Sequence, residues 1–109
     1  MMIVFGAEWC HYCKQLEKET LSQPQIAEYI NSHFIPVHLD KDQPQGKEAA
    51  RILGVDNLPC TVILSPSADR VQDKILGYRE ATQYQQALET ARAKGATIRQ
   101  TRFSRVLGR

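Results

Sequence analysis

The 109-residue sequence has no long apolar run and little cysteine. No stretch approaches the roughly 20 apolar residues that a membrane-spanning helix needs, so we expect no membrane span. The first seven residues are too short for the apolar region of a signal peptide and its flanks. We therefore expect an exported protein if an upstream signal has been removed, and a cytoplasmic one otherwise. Three cysteines cannot supply the disulfide framework of a small secreted scaffold.

Acidic residues are missing from the last fifteen positions. Residues 1–94 hold ten Lys or Arg and all twelve Asp or Glu, whereas residues 95–109 add four arginines. With 42% hydrophobic and 24% charged residues the composition is that of one ordinary globular domain. We expect this domain over residues 1–94 and a solvated basic extension over 95–109. Four arginines give only weak affinity for nucleic acid, so no nucleic-acid partner is expected.

Apolar and turn patterns predict the element order β-α-α-β-α-β-β-α. Strands are predicted at 2–5, 34–39, 60–65 and 71–76, and helices at 10–21, 22–33, 45–53 and 82–95. Ser22 with Gln25 and Thr82 with Gln85 form capping boxes. Pro36 predicts an edge strand, because proline cannot donate to a sheet ladder. The two strand–helix–strand connections predict parallel pairing, and the turn at 66–69 predicts a hairpin.

Chemistry concentrates at Trp9-Cys10-His11-Tyr12-Cys13, where the first strand gives way to a helix. Two cysteines three residues apart at a helix start share one side, so they can form a disulfide or bind one metal ion. Unpaired N–H groups and the helix dipole stabilise a thiolate at Cys10, and the thiolate is the form that attacks disulfides. There is no second CxxC and no HxxxH to complete a paired zinc motif, although Cys60 with a histidine could complete an irregular site.

Several motifs in the right order resemble the thioredoxin family. They are the Ala-Glu-Trp-Cys-His-Tyr-Cys stretch, Thr-Leu-Ser at 20–22, Val-His-Leu-Asp at 37–40, Gly-Val-x-x-Leu-Pro at 54–59 and Gly-Tyr at 77–78. The chain looks most similar to the exported branch that includes the C-terminal domain of DsbD-type thiol:disulfide interchange proteins. The resemblance covers residues 2–93. It implies a thioredoxin-like α/β fold, with a compact four-stranded mixed sheet flanked by helices, that lacks the N-terminal strand and helix of full thioredoxin.

The resemblance also implies roles for the site residues. We expect Cys10 to be the exposed attacking thiol and Cys13, one turn further in and more buried, to resolve the mixed disulfide. Proline 59 is expected to be a cis-proline facing the CxxC motif. The residues expected to bind substrate are Trp9, Leu58 and Pro59, and those expected to tune the cysteines are His11 and Tyr12. No cofactor or metal is expected, the partners are protein disulfides or dithiols, and we expect a monomer.

Departures from the family pattern raise two questions. Val4 stands where many thioredoxins keep a buried aspartate, so proton transfer to the inner thiol needs another route. Glu8 is one candidate, although an exposed loop glutamate is the simpler interpretation, and His33 and His38 are assigned no chemical role. Cys60 follows the proline where threonine is usual, and we expect it to be buried and inert.

The sequence thus predicts a thiol–disulfide oxidoreductase that works through a mixed disulfide. The alternative is a non-catalytic thioredoxin-like binding module that holds a metal through Cys10, Cys13 and Cys60.

Overall fold

A computed structural model describes the backbone of residues 1–107 and the side chains of residues 1–95. The elements follow the predicted order, with a π-helical segment continuing the first helix. They are β1 (Met2–Gly6), α1 (His11–Gln15), the π-helical segment (Leu16–Leu21), α2 (Pro24–His33), β2 (Pro36–Asp40), α3 (Pro44–Leu53), β3 (Cys60–Leu64), β4 (Val71–Leu76) and α4 (Ala81–Leu107).

The four strands form one mixed sheet in the order β2-β1-β3-β4. β1 runs parallel to β2, and β3 and β4 form the predicted antiparallel hairpin. The strand that carries Pro36 lies at the edge of the sheet, so that prediction is confirmed. The predicted parallel pairing of the second connection is wrong, because β3 runs antiparallel to β1. The connection through α3 leaves β2 beside Gly6 and enters β3 at Cys60, beside Phe5, so it begins and ends at the same end of the sheet.

Strand alternation divides the core between the two faces of the sheet. Met2 and Val4 pack with α2, α4 and the π-helical segment, whereas Ile3 and Phe5 pack with α3. We call these the α4 face and the α3 face. Because β1 is central and apolar at every buried position, it contributes to both, as the apolar run at 2–5 predicts. This alternation decides which side chains of β2 and β3 lie near the cysteine pair.

The capping boxes predicted for two helices are not formed. α2 begins at Pro24 after Gln23, without a side-chain cap, and the Ser22 hydroxyl donates instead to the carbonyl of Lys18. That contact closes the preceding π-helical segment, so Ser22 is not free to cap α2. Thr82 lies inside the first turn of α4. The end of α3 is as predicted, since Gly54 adopts the left-handed conformation with φ 71°.

α4 continues well past its predicted end near Gly95, as far as Leu107. Gly95 does not adopt a left-handed conformation and is buried. A Cβ at this position would lie 2.7 Å from the side-chain amide of Gln72, so glycine lets α4 pack closely against β4 without displacing that side chain. Gly95 therefore lies at a packing contact and does not end α4. In the predicted arginine-rich extension at 95–109, the side chains of residues 96–109 lie outside the described residues.

Candidate redox site

The cysteine pair lies at the junction between β1 and α1. Cys10 is the N-cap of α1, and its Sγ accepts a hydrogen bond from the backbone N–H of Cys13 at 3.1 Å. The two cysteines form a disulfide with a Cα–Cα distance of 5.2 Å, inside the usual range for disulfides of about 4.4–6.8 Å. A sulfur at an N-cap meets backbone donors that the helix leaves unpaired, and these donors favour its anionic form.

The burial of the two cysteines differs from the prediction. Cys10 is only 5% exposed, whereas Cys13 is half-buried, so the expected exposed outer thiol is wrong for this disulfide-bonded state. As the N-cap residue, Cys10 folds its side chain back over the first turn towards the Cys13 N–H, and this covers it. Cys13 packs against the end of β1, where a Cβ on Gly6 would lie 3.5 Å from its own Cβ.

Two aromatic side chains beside the cysteines are exposed. Trp9 is 70% exposed, and its indole Nε1 donates to the Asp42 carboxylate at 2.7 Å. Tyr12 is 59% exposed and meets the ring of His11 edge-on at 5.4 Å. The structure thus places Trp9, His11 and Tyr12 on the open surface around Cys10.

The peptide bond between Leu58 and Pro59 is cis, as the resemblance implies. Pro59 is buried and borders the same cavity as Cys13. Its carbonyl accepts a hydrogen bond from the Gly77 N–H at 2.8 Å, and Leu58 packs on the α3 face. These contacts bring residues 58 and 59, which are far from the cysteines in sequence, to the redox site.

A cavity of about 330 Å³ lies on the inner side of Cys13, between α1 and the ends of β1 and β2. Val4 contributes an apolar wall where the family commonly has an aspartate. The titratable side chains at the cavity come from four different parts of the chain and are Glu8, Lys14, Glu17, His38 and Asp40. From the sequence, His38 is assigned no role, and the structure places its side chain at this cavity. The parallel register that sets His38 opposite Val4 accounts for that position.

Cys60 lies apart from the cysteine pair. It is free, 1% exposed and packed with Phe5 on the α3 face, whereas Cys13 contacts Gly6, which alternation places on the α4 face. Burial raises the pKa of the Cys60 thiol, although the nearby Lys74 ammonium opposes that effect. The predicted burial of Cys60 is confirmed. In the described part of the chain, no group of three or more His, Cys, Asp or Glu side chains could hold a metal ion.

A mixed four-stranded sheet, a CxxC disulfide at a helix start and a cis-proline beside it together define the class of thiol–disulfide oxidoreductases. A family model described as a thioredoxin-like domain matches residues 1–92. The chain belongs to this thioredoxin-like family.

Comparisons with individual proteins agree with this assignment. The structure is similar to a thioredoxin from Thermus thermophilus, with a TM-score of 0.77 and 29% identity over 86% of this chain and 74% of that one. It shares its fold with the oxidised C-terminal domain of Neisseria meningitidis DsbD, with a TM-score of 0.68 and 21% identity over 84% of this chain and 78% of that one. The sequence is 28% identical over 91 residues to the thiol:disulfide interchange protein DsbD of Photorhabdus laumondii.

That match to DsbD covers 82% of this chain and only 16% of the relative, so the chain spans a small part of that relative's length. Over the residues that the structure describes, no helix is both long enough and apolar enough to cross a membrane.

Proposed function

We propose that this domain exchanges its dithiol with protein disulfides through a mixed-disulfide intermediate. The observation that carries the proposal is the Cys10–Cys13 disulfide at the start of α1, with the Cys10 sulfur as the acceptor of a backbone N–H. A sulfur in this position is stabilised as a thiolate, which makes it both a nucleophile and a good leaving group. No cofactor is needed, because the dithiol itself carries the two electrons.

In the reducing direction, the Cys10 thiolate attacks one sulfur of the substrate disulfide. A bond forms between Cys10 and that sulfur, and the other substrate sulfur leaves as a thiolate. Cys13 then loses its proton and attacks the Cys10 sulfur, which releases the second substrate thiolate and forms the Cys10–Cys13 disulfide. The substrate gains the two electrons that the dithiol loses, and the oxidising direction is the reverse.

Substrate recognition is proposed for Trp9, Leu58 and Pro59. The exposed indole of Trp9 offers an apolar surface next to Cys10 and is oriented by Asp42. The backbone around Leu58 lies beside the site, so an extended peptide could pair with it as an added strand. Such pairing recognises main-chain groups and suits a range of protein substrates.

Tuning of the cysteines is proposed for His11 and Tyr12. A protonated His11 beside Cys10 would stabilise its thiolate, and a more stable thiolate makes the disulfide more oxidising. Tyr12 contacts the His11 ring and so affects its position. Replacing His11 with alanine should therefore shift the reduction potential of the pair to a more negative value.

Reduction of insulin by dithiothreitol, followed by turbidity, tests the proposed function. The wild-type protein should accelerate the reaction, and Cys10→Ser should abolish the acceleration while Cys60→Ala leaves it intact. Metal analysis of the purified protein tests the alternative of a metal-binding module. Stoichiometric metal together with no acceleration of insulin reduction would favour that module over the oxidoreductase.

A further inference from the structure

We propose that His38 accepts the proton that Cys13 releases when it resolves the mixed disulfide. The inference rests on the proposed function, since it assigns a group to one step of that reaction. Cys13 must become a thiolate before it can attack, and its immediate neighbour on β1 is the glycine at position 6. Val4, two residues earlier on the same face, has no group that could take the proton.

The register of β1 and β2 places His38 on the correct side of the sheet. Val4 lies opposite His38 and Gly6 lies opposite Asp40 in the parallel pair. Val37 and Leu39 pack on the α3 face, so His38 between them points to the α4 face, where Cys13 lies. From strand spacing and rise, the Cα atoms of His38 and Gly6 are roughly 8 Å apart.

The cavity joins these two side chains. Cys13 and His38 both line the space of about 330 Å³ beneath α1. A space of this volume has room for several water molecules, because one water needs only about 10–15 Å³ of such volume. A proton can therefore pass from the Cys13 sulfur to the imidazole through water, without direct contact between the two side chains.

The other titratable groups at the cavity suit this role less well. Lys14 is a cation at neutral pH and has no free electron pair to take a proton. Glu8 and Glu17 are exposed, as His38 is, and differ from it in being carboxylates, which as a class are weak bases at neutral pH. Asp40 accepts the backbone N–H of Asp42 at 2.8 Å, which engages one of its oxygens in the turn after β2. An imidazole is the side chain whose ordinary titration range lies closest to neutral pH.

Neutral His38 takes the proton of the Cys13 thiol, and the Cys13 sulfur forms its bond to the Cys10 sulfur. The bond between Cys10 and the substrate breaks, and its electron pair leaves with the substrate thiolate. In the reverse direction, protonated His38 returns the proton to Cys13 as the disulfide opens. His38 therefore affects the Cys13 step and leaves the first attack by Cys10 unaffected.

Single-turnover reduction of a peptide disulfide, followed by rapid quenching and mass spectrometry, separates the two steps. We compare the wild type with His38→Gln and with His33→Gln, which removes an exposed histidine that does not line the cavity. His38→Gln should form the mixed disulfide at the wild-type rate and resolve it at least about tenfold more slowly at pH 7. The wild-type resolution rate should fall as acid protonates the histidine, and this dependence should be absent from His38→Gln. Added imidazole should restore part of the rate.

Wild-type resolution with an unchanged pH profile in His38→Gln would overturn the inference. Slower resolution in Asp40→Asn or Glu17→Gln, with His38→Gln normal, would overturn it in favour of a carboxylate. Thermal unfolding of His38→Gln checks that the variant is folded, and the imidazole rescue separates loss of the base from a change in structure. Failure of the proposed function has a different signature, since Cys13→Ser would then accumulate no mixed disulfide whatever His38 does.

Discussion

Val4 leaves the inner side of the redox site without a side chain at position 4 that could accept the proton of Cys13. Its side chain is 7% exposed and forms an apolar wall of the cavity that Cys13 borders. Val4 offers no charged or hydrogen-bonding group to a thiolate or a proton at Cys13. The cavity therefore provides the route for the proton from Cys13, and His38 at its edge is the group proposed to accept it.

Cys60 should behave as a packing residue. It is 1% exposed and its pKa is raised by burial, so it offers little thiolate to an alkylating reagent. We expect iodoacetamide to modify Cys10 and Cys13 in the reduced native protein, and to modify Cys60 only after denaturation. Mass spectrometry of the peptides gives the three extents of reaction. Rapid native modification of Cys60, or a disulfide between Cys13 and Cys60, would instead indicate a relay of three thiols.

For individual residues, the sequence predicts which residues form the site better than it predicts their burial and their position in the fold. The cysteine pair and the cis bond before Pro59 follow from local motifs whose order matches the family. The burial of Cys10 and the position of His38 depend on how a side chain folds over a helix and on which strands pair. Local residue spacing does not determine the burial of Cys10 or the position of His38, so both depend on the three-dimensional structure.

At the scale of elements, β2 lies at the edge of the sheet. Within the described residues it pairs only with β1, whereas β3 has a neighbouring strand on each side. Pro36 at its start cannot donate to a ladder, which suits an edge position. One side of β2 therefore presents backbone groups without a strand partner.

Amide hydrogen exchange should reflect this difference. We expect the amides of β2 (Pro36–Asp40) to exchange faster under native conditions than those of β3 (Cys60–Leu64), because local opening of an edge strand breaks fewer contacts. Exchange followed by mass spectrometry of overlapping peptides measures both strands in one sample. Equally strong protection would mean that another segment or a partner chain covers the edge.

The junction of α4 with β3 carries a buried tyrosine whose ionisation should lower the stability of the protein at high pH. The Tyr84 hydroxyl lies 2.6 Å from the Thr61 hydroxyl, and burial raises the pKa of Tyr84 to about 12. The folded state holds this proton more tightly than the unfolded chain, where tyrosine titrates near about 10. The resulting stabilisation is complete below pH 10 and is lost as the pH rises towards 12. Urea unfolding should show a loss on the order of 2 kcal/mol over this range.

Tyr84→Phe is the matched variant for this prediction. It should be less stable than the wild type at pH 8 by about 1–3 kcal/mol, since the Thr61 hydroxyl is left buried without its partner. Its unfolding free energy should then fall less steeply above pH 10. If both proteins lose stability in parallel, the titration of Tyr84 is not the cause.

The sequence predicts the type and order of the elements because apolar periodicity and turn residues are local signals. The direction of β3 was missed, because it depends on the path of α3 over the sheet and not on the strand itself. The end of α4 was missed because Gly95 serves a contact with Gln72. Both errors arise where long-range packing overrides a local signal.

At the scale of the whole molecule, one compact unit carries the redox site and a helix that extends beyond it. The family model ends at residue 92, and α4 continues to Leu107. All residues proposed for catalysis and recognition lie before residue 60 in the sequence. The proposed domain covers residues 1–94 and the proposed basic extension residues 95–109, while α4 runs across this boundary and Gly95 still packs against β4.

Removal of residues 96–109 should leave the redox activity intact, since no residue proposed for exchange lies there. We expect the shortened protein to reduce insulin within about twofold of the full chain and to unfold cooperatively. Gel-shift assays of the full chain with RNA and DNA at physiological salt should show no binding, because four arginines give weak affinity. Tight binding that disappears with the shortened chain would assign the extension a nucleic-acid role.

The central claim is that Cys10 attacks and Cys13 resolves, and trapping of the intermediate tests it most directly. Cys13→Ser, incubated with a disulfide-bonded protein substrate and acid-quenched, should accumulate a mixed disulfide through Cys10 that mass spectrometry identifies. Cys10→Ser, treated in the same way, should accumulate none. Trapping by Cys10→Ser and not by Cys13→Ser would reverse the two roles, and trapping by neither would contradict exchange through a mixed disulfide.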